Sequence, residues 1–182
     1  MEVADSKVAA WFERKFEFSF PLVLYPDLFM RLRGTPARLE EVLREGRREV
    51  LTCRPAEKWS AQEHAGHLLD LESLWSQRVE DFLHCSPTLT AADLSNRKTH
   101  EANHNTQETE RILRQFRTAR EQWIKRLDGL DAGQYSRTLL HPRLQQPMRL
   151  VDHLYFVAEH DDHHLARIWE LLQGSARSSH RG

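Results

Sequence analysis

Leu150-Val151-Asp152-His153-Leu154-Tyr155-Phe156-Val157-Ala158-Glu159-His160-Asp161-Asp162-His163-His164-Leu165-Ala166-Arg167-Ile168-Trp169-Glu170-Leu171-Leu172-Gln173-Gly174 is the stretch on which the fold turns. It has no proline, and its single glycine stands at the end. Leu150, Leu154, Val157, Ile168 and Leu171 recur at the spacing of one face of an α-helix. The pattern predicts a helix over 149–173, stopped by Gly174. The same stripe passes through His160 and His164, which stand where the pattern asks for leucine.

Working outward, the rest of the chain offers partners for that helix. Ser60 and Glu63 form a capping-box pair ahead of the stripe Leu68, Leu71, Trp75, Val79 and Phe82, with Pro87 just beyond it. Ile112, Leu113, Phe116, Ala119, Trp123 and Leu127 predict a helix over 106–128, with Gly129 as its stop. Thr35-Pro36 reads as a helix start, threonine as cap and proline at the first helical position, so the first bundle helix is expected at 36–49. Segments 85–105 and 130–148 read as connections, the first long enough to cross the top of a bundle. Four amphipathic helices make an all-α four-helix bundle the economical solution. Ahead of it, a short helix near 5–15 and an aromatic arm through Phe16, Phe18 and Phe20 are expected, giving an N-terminal arm over 1–34, a bundle over 35–173 and a loose tail over 174–182.

Composition narrows the function classes. The chain has 182 residues, with 26 Lys+Arg against 27 Asp+Glu. That balance gives no basic excess for nucleic acid, and Arg44, Arg47 and Arg48 read as a solvated helix face. Cys53 and Cys85 are too few for a disulfide framework. The sequence begins without an apolar leader, and no apolar run reaches the roughly 20 residues of a membrane span. A cytoplasmic protein with no membrane partner is the expectation. Neither HExxH, a glycine-rich phosphate loop nor GxSxG occurs.

The histidines point to chemistry. Of 11 in the chain, several crowd into two windows around His67 and His160. Residues at i and i+4 are neighbours on a helix face, so His160 and His164 can turn their nitrogens onto one ion. His67, one turn before Leu71, tends toward the interior of a facing helix and supplies a third ligand. Three neutral imidazoles leave a position for water or substrate, as in catalytic zinc sites. His64 lies nearer the mouth, while His153 and His163 are expected partly exposed and outside the set. Asp70, Glu72, Glu159 and Asp161 are read as surface carboxylates that could otherwise orient an imidazole. The alternative, hydrogen-bonded core histidines without a metal, stays open at this point.

Three segments resemble the DinB-like superfamily, which includes metal-dependent thiol transferases: Arg33-Gly34-Thr35-Pro36-Ala37-Arg38-Leu39, Trp59-Ser60-Ala61-Gln62-Glu63-His64-Ala65-Gly66-His67-Leu68 and Glu159-His160-Asp161-Asp162-His163-His164-Leu165-Ala166-Arg167-Ile168. The resemblance implies an up-down-down-up four-helix bundle and a divalent metal held by His67, His160 and His164. Zinc and nickel are the leading ions, with iron and manganese as further candidates. It also implies a homodimer and a small-molecule substrate, such as a low-molecular-weight thiol. The last motif departs from many relatives, which have glutamine before the isoleucine where this chain has Arg167. The functions to weigh are a metal-dependent thiol S-transferase or small-molecule hydrolase, and a non-catalytic metal-binding or stress-related interaction protein.

Overall fold

The computed structural model describes residues 8–44 and 46–179. In chain order the elements are α1 (Tyr25–Leu43), α2 (Arg48–Leu51), α3 (Ala61–Leu83), α4 (Arg97–Glu101), α5 (Thr109–Leu127), α6 (Ala132–Tyr135), β1 (Thr138–His141), β2 (Gln146–Arg149) and α7 (Leu150–Ser179), with short 3-10 turns between some of them. The long helices form a bundle in which α1 and α3 each pack against both α5 and α7.

Helix α1 begins eleven residues ahead of the expected start, at Tyr25 with Pro26 in its first turn, and Pro36 lies inside it. A proline within a helix removes the N–H that would serve the carbonyl four residues back. Here that carbonyl belongs to Leu32, and Arg120 Nη1 of α5 donates to it at 3.2 Å. The Arg31 carbonyl beside it accepts from Arg38 Nη2 at 3.1 Å. The Thr-Pro pair is thus absorbed by side chains distant in sequence, and Thr35 is no cap. The helix ends at Leu43, and the remainder of the expected segment becomes the separate turn α2.

Helix α3 starts as its sequence predicts. Ser60 Oγ accepts from the Glu63 N–H at 3.1 Å, and the Ser60 N–H donates to Glu63 Oε2 at 2.9 Å. The expected 130–148 loop holds instead an antiparallel hairpin pairing Thr138 with Arg149 and His141 with Gln146, so the fold is helical with one small sheet. Pro147 is exposed in β2, an edge of this two-stranded sheet, where a missing N–H is tolerated. Gly174 does not stop α7, which continues to Ser179; residues 180–182 of the expected tail lie outside the described residues.

Of the expected helix near 5–15, the described residues show one 3-10 turn, Trp11–Glu13, and residues 1–7 lie outside them. Trp11 and Phe16 meet Phe156 of α7 with ring centroids 5.2 and 5.0 Å apart, and the Phe20 N–H donates to Asp152 Oδ1 at 3.1 Å. Cys53 and Cys85 are exposed and unpaired. Among the described residues no helix is long and apolar enough to cross a membrane.

The core divides into two apolar clusters. One gathers Leu28 and Leu32, Trp75 and Phe82, Trp123 and Leu127, and Leu154 and Val157. The other gathers Leu39 and Leu43, Ala65 and Leu68, Ile112 and Phe116, and Leu165 and Ile168. Between the two sets each long helix contributes a buried polar residue to a shared layer: Thr35, Glu72, Arg120 and Asp161. They form one network. Arg120 donates to both Glu72 oxygens at 2.7 and 3.0 Å and to both Asp161 oxygens at 2.6 and 3.1 Å. Thr35 Oγ1 lies 2.7 Å from Asp161 Oδ2 and Trp123 Nε1 donates to Glu72 at 2.7 Å. Burial works against the Arg120 charge, but Asp161 and Glu72 outweigh it and hold the guanidinium above its ordinary value. Glu72 and Asp161 are therefore interior residues of this layer, not the surface carboxylates the sequence suggested.

Candidate metal centre

One ring nitrogen from each of His67, His160 and His164 lies within 4.8 Å of the other two, and all three residues are buried. His67 projects from α3; His160 and His164 project from one face of α7. His160 Nε2 and His164 Nε2 are 3.2 Å apart, close to the roughly 3.3 Å that two nitrogens bound at 2.0–2.1 Å to one tetrahedral ion would have.

The protonation of one of the rings follows from its neighbours. Thr99 Oγ1 donates its single proton to Asp70 Oδ2 at 2.9 Å, since an ionised carboxylate only accepts. Toward His67 Nδ1, 3.0 Å away, the hydroxyl must therefore accept. This puts the His67 proton on Nδ1 and leaves the Nε2 lone pair free for an ion. His104 Nε2 lies 2.8 Å from the same Asp70 oxygen and donates to it, so Asp70 orders both histidines. His164 Nδ1 lies 2.8 Å from His64 Nδ1. The tautomer in which His164 donates there is the one that leaves its Nε2 lone pair free. Partners that fix ring orientation and tautomer in this way are the usual support of metal-bound histidine.

Burial keeps these imidazoles neutral, the form that ligates. It lowers His67 to about 4, opposed by the nearby Asp70 charge, and pushes His160 and His164 well below their usual value. His160 Nδ1 is buried without a hydrogen-bond partner among the described residues; its ring meets Trp11 edge-on at 4.9 Å. Three uncharged nitrogen donors, in one case with an ordered lone pair, are a donor set that fits a divalent cation.

The sequence missed part of this constellation. His64 is 8% exposed and touches His164 directly. His153, expected partly exposed, is fully buried with both nitrogens lacking a partner among the described residues. Its ring lies 5.8 Å from that of Trp75. His163 is partly exposed as expected. Thr99 and His104 belong to a connection that reads as polar and solvated, yet both are buried. The available signal was Gly66, in the turn before His67: a β-carbon there would overlap the His104 ring. Asp70 orients His67 through Thr99, whereas Glu159 pairs with Arg14 and Arg31.

The cluster borders a cavity of about 670 Å³ walled by Trp11, Trp59, Leu71, Trp75 and Phe156. That volume suits a small molecule. Trp59 covers His67, with ring centroids 4.7 Å apart.

Fold and site together define a helical-bundle protein with a buried three-histidine cluster opening on a small-molecule cavity. The family model of the DinB superfamily matches residues 31–168, and the chain belongs to that superfamily. Among solved structures, it is similar to YfiT from Bacillus subtilis, described as a probable metal-dependent hydrolase with an unusual four-helix bundle topology. The two share 20% sequence identity at a TM-score of 0.77, over 90% of this chain and 94% of that one. No curated protein matches.

Proposed function

We propose that this protein is a divalent-metal-dependent enzyme acting on a small molecule, as a hydrolase or a thiol S-transferase. His67, His160 and His164 hold the ion, with zinc or nickel the leading candidates. The observation that carries the reading is the convergence of three neutral imidazole nitrogens beside the cavity. A divalent ion bound there would lower the pKa of a water molecule or thiol and polarise an electrophile. The chain's own residues do the rest. Asp70, through Thr99, orients His67, and His64 orients His164. The aromatic walls exclude water from the reacting pair.

A panel of esters, amides and small thiols with model electrophiles tests the reading, with zinc- or nickel-loaded protein and after chelation. Turnover that needs the metal and disappears in His160→Ala supports it. Absence of metal-dependent turnover across the panel favours a second reading, a non-catalytic metal-binding protein. One observation speaks for that second reading: Asp93 is the only acidic side chain in the cavity wall among the described residues, and it is engaged by the Ser95 and Arg97 N–H groups.

The proposal extends to architecture and setting. An up-down-down-up order is supported by the two core clusters, which follow one another with rising residue number in α1 and α7 and falling number in α3 and α5. The N-terminal segment serves as an arm sealing one wall of the cavity, supported by the Trp11–Phe156 contact. A homodimer completes the reading, resting on the family resemblance and tested by the mass of the particle in solution.

A further inference from the structure

The wall of the cavity is unevenly charged. Among its lining residues are four basic side chains, Lys58, Arg78, Arg143 and Arg167, and one acidic side chain, Asp93. Arg167 is paired with Glu170. Arg78 differs from Arg120, the other buried cation among the described residues. It is 1% exposed, as buried as Arg120, yet among the described residues no carboxylate oxygen lies within 4 Å of it. Its Nε donates to the Thr90 carbonyl at 2.8 Å, and its guanidinium sits over the Trp75 ring at 5.4 Å. Burial depresses it to about 10, only partly opposed by the more distant Asp81. A buried, unpaired guanidinium is costly unless something neutralises it.

The neighbouring His141, 2% exposed, points the same way. Arg78 Nη1 lies 3.3 Å from His141 Nε2, and the Leu144 N–H lies 3.2 Å from His141 Nδ1. A neutral imidazole has one lone pair and cannot accept from both. Burial lowers His141 to about 3, so it is neutral. In either tautomer one donor is left over. When Nδ1 accepts from Leu144, the His141 Nε2–H and the Arg78 Nη1–H stand side by side, and one acceptor oxygen can satisfy both. Arg143, on the turn of the hairpin, has no ion pair among the described residues; its guanidinium lies 5.3 Å from the Phe12 ring.

We propose that the cavity binds a small organic carboxylate, its charged group held by Arg78 and His141 with Arg143 as a second countercharge, and its apolar body against the aromatic wall. This rests on the reading of the cavity as the substrate site and names the class of substrate. The expected hairpin-free loop could not have supplied this: β1 contributes His141 and the turn contributes Arg143.

The test is calorimetric titration of phenylacetate and of its uncharged amide, phenylacetamide, into zinc-loaded and chelator-treated protein. Phenylacetate is expected to bind in both states, and more tightly than phenylacetamide by roughly ten- to hundredfold. Arg78→Met is expected to remove most of that preference while leaving zinc stoichiometry unchanged, and Arg78→Lys to keep part of it. Should Arg78→Met not fold, Arg143→Met and the charged-against-uncharged comparison on the wild type decide the matter. Equal binding of the two probes, or no binding of phenylacetate in either state, overturns the proposal. Binding only in the zinc-loaded protein, unchanged by Arg78→Met, also overturns it, because the metal then holds the anion. Phenylacetate binding by a protein that takes up no zinc leaves the proposal standing and sinks the metal reading instead.

Discussion

Arg120 and Arg78 are equally buried and differently furnished. Arg120, midway along the bundle, donates to two carboxylates and one carbonyl, so the charge is answered within the chain. Arg78, in the cavity wall, has a carbonyl and an overcommitted histidine. Burial of an ion is offset by its partners or it is not. The closed network joins a residue from each long helix. The open one leaves a charge that a ligand can answer.

The largest effect expected from breaking this contrast is on Arg120. Arg120→Met leaves Glu72 and Asp161 buried without a cation and should cost about 3–5 kcal/mol in chemical denaturation; a cost near zero would mean the layer does not hold the fold. Next, Gly66→Ala drives a methyl into His104 and should loosen the Asp70 cluster that orients His67, at about 1–3 kcal/mol. Zinc affinity should fall with it, and unchanged affinity would detach His104 from the site.

Acid titration separates the two regions differently. His141 and His153 lie near Arg78, and burial depresses both, His141 to about 3 and His153 well below its usual 6.5. Their folded values lie below the unfolded one, so the unfolded chain takes up protons that the folded chain refuses. Stability should therefore fall as pH drops from about 6.5 toward 3, by about 1.4 kcal/mol per pH unit for each group. His153→Leu should flatten that slope; a slope identical to wild type would refute the assignment. The smallest effect is expected for Arg78→Met. Losing an unpaired buried charge should change stability by no more than about 1 kcal/mol, and in the stabilising direction if the sign is resolved. A loss comparable to that of Arg120→Met would show that Arg78 is structural.

How legible the molecule is from its sequence follows the same divide. Periodicity exposes what one helix does alone: the stripe on α7, the Ser60–Glu63 cap, and His160 with His164 one turn apart. It fails where a local signal is answered from afar. Thr35-Pro36 looks like a helix start because the residue that satisfies Leu32 is Arg120, distant in sequence. Thr99 and His104 look solvated because the glycine that admits His104 lies on another element. Arg78 lies outside the apolar stripe of α3, and only the bundle shows it buried.

The most direct test of the central claim is the metal content of protein purified without a polyhistidine tag and reconstituted with zinc, for wild type and for His67→Ala, His160→Ala and His164→Ala. One equivalent in the wild type, lost in each variant while the fold is retained, is the predicted result. No bound metal in the wild type, or an equivalent retained in all three variants, would contradict it.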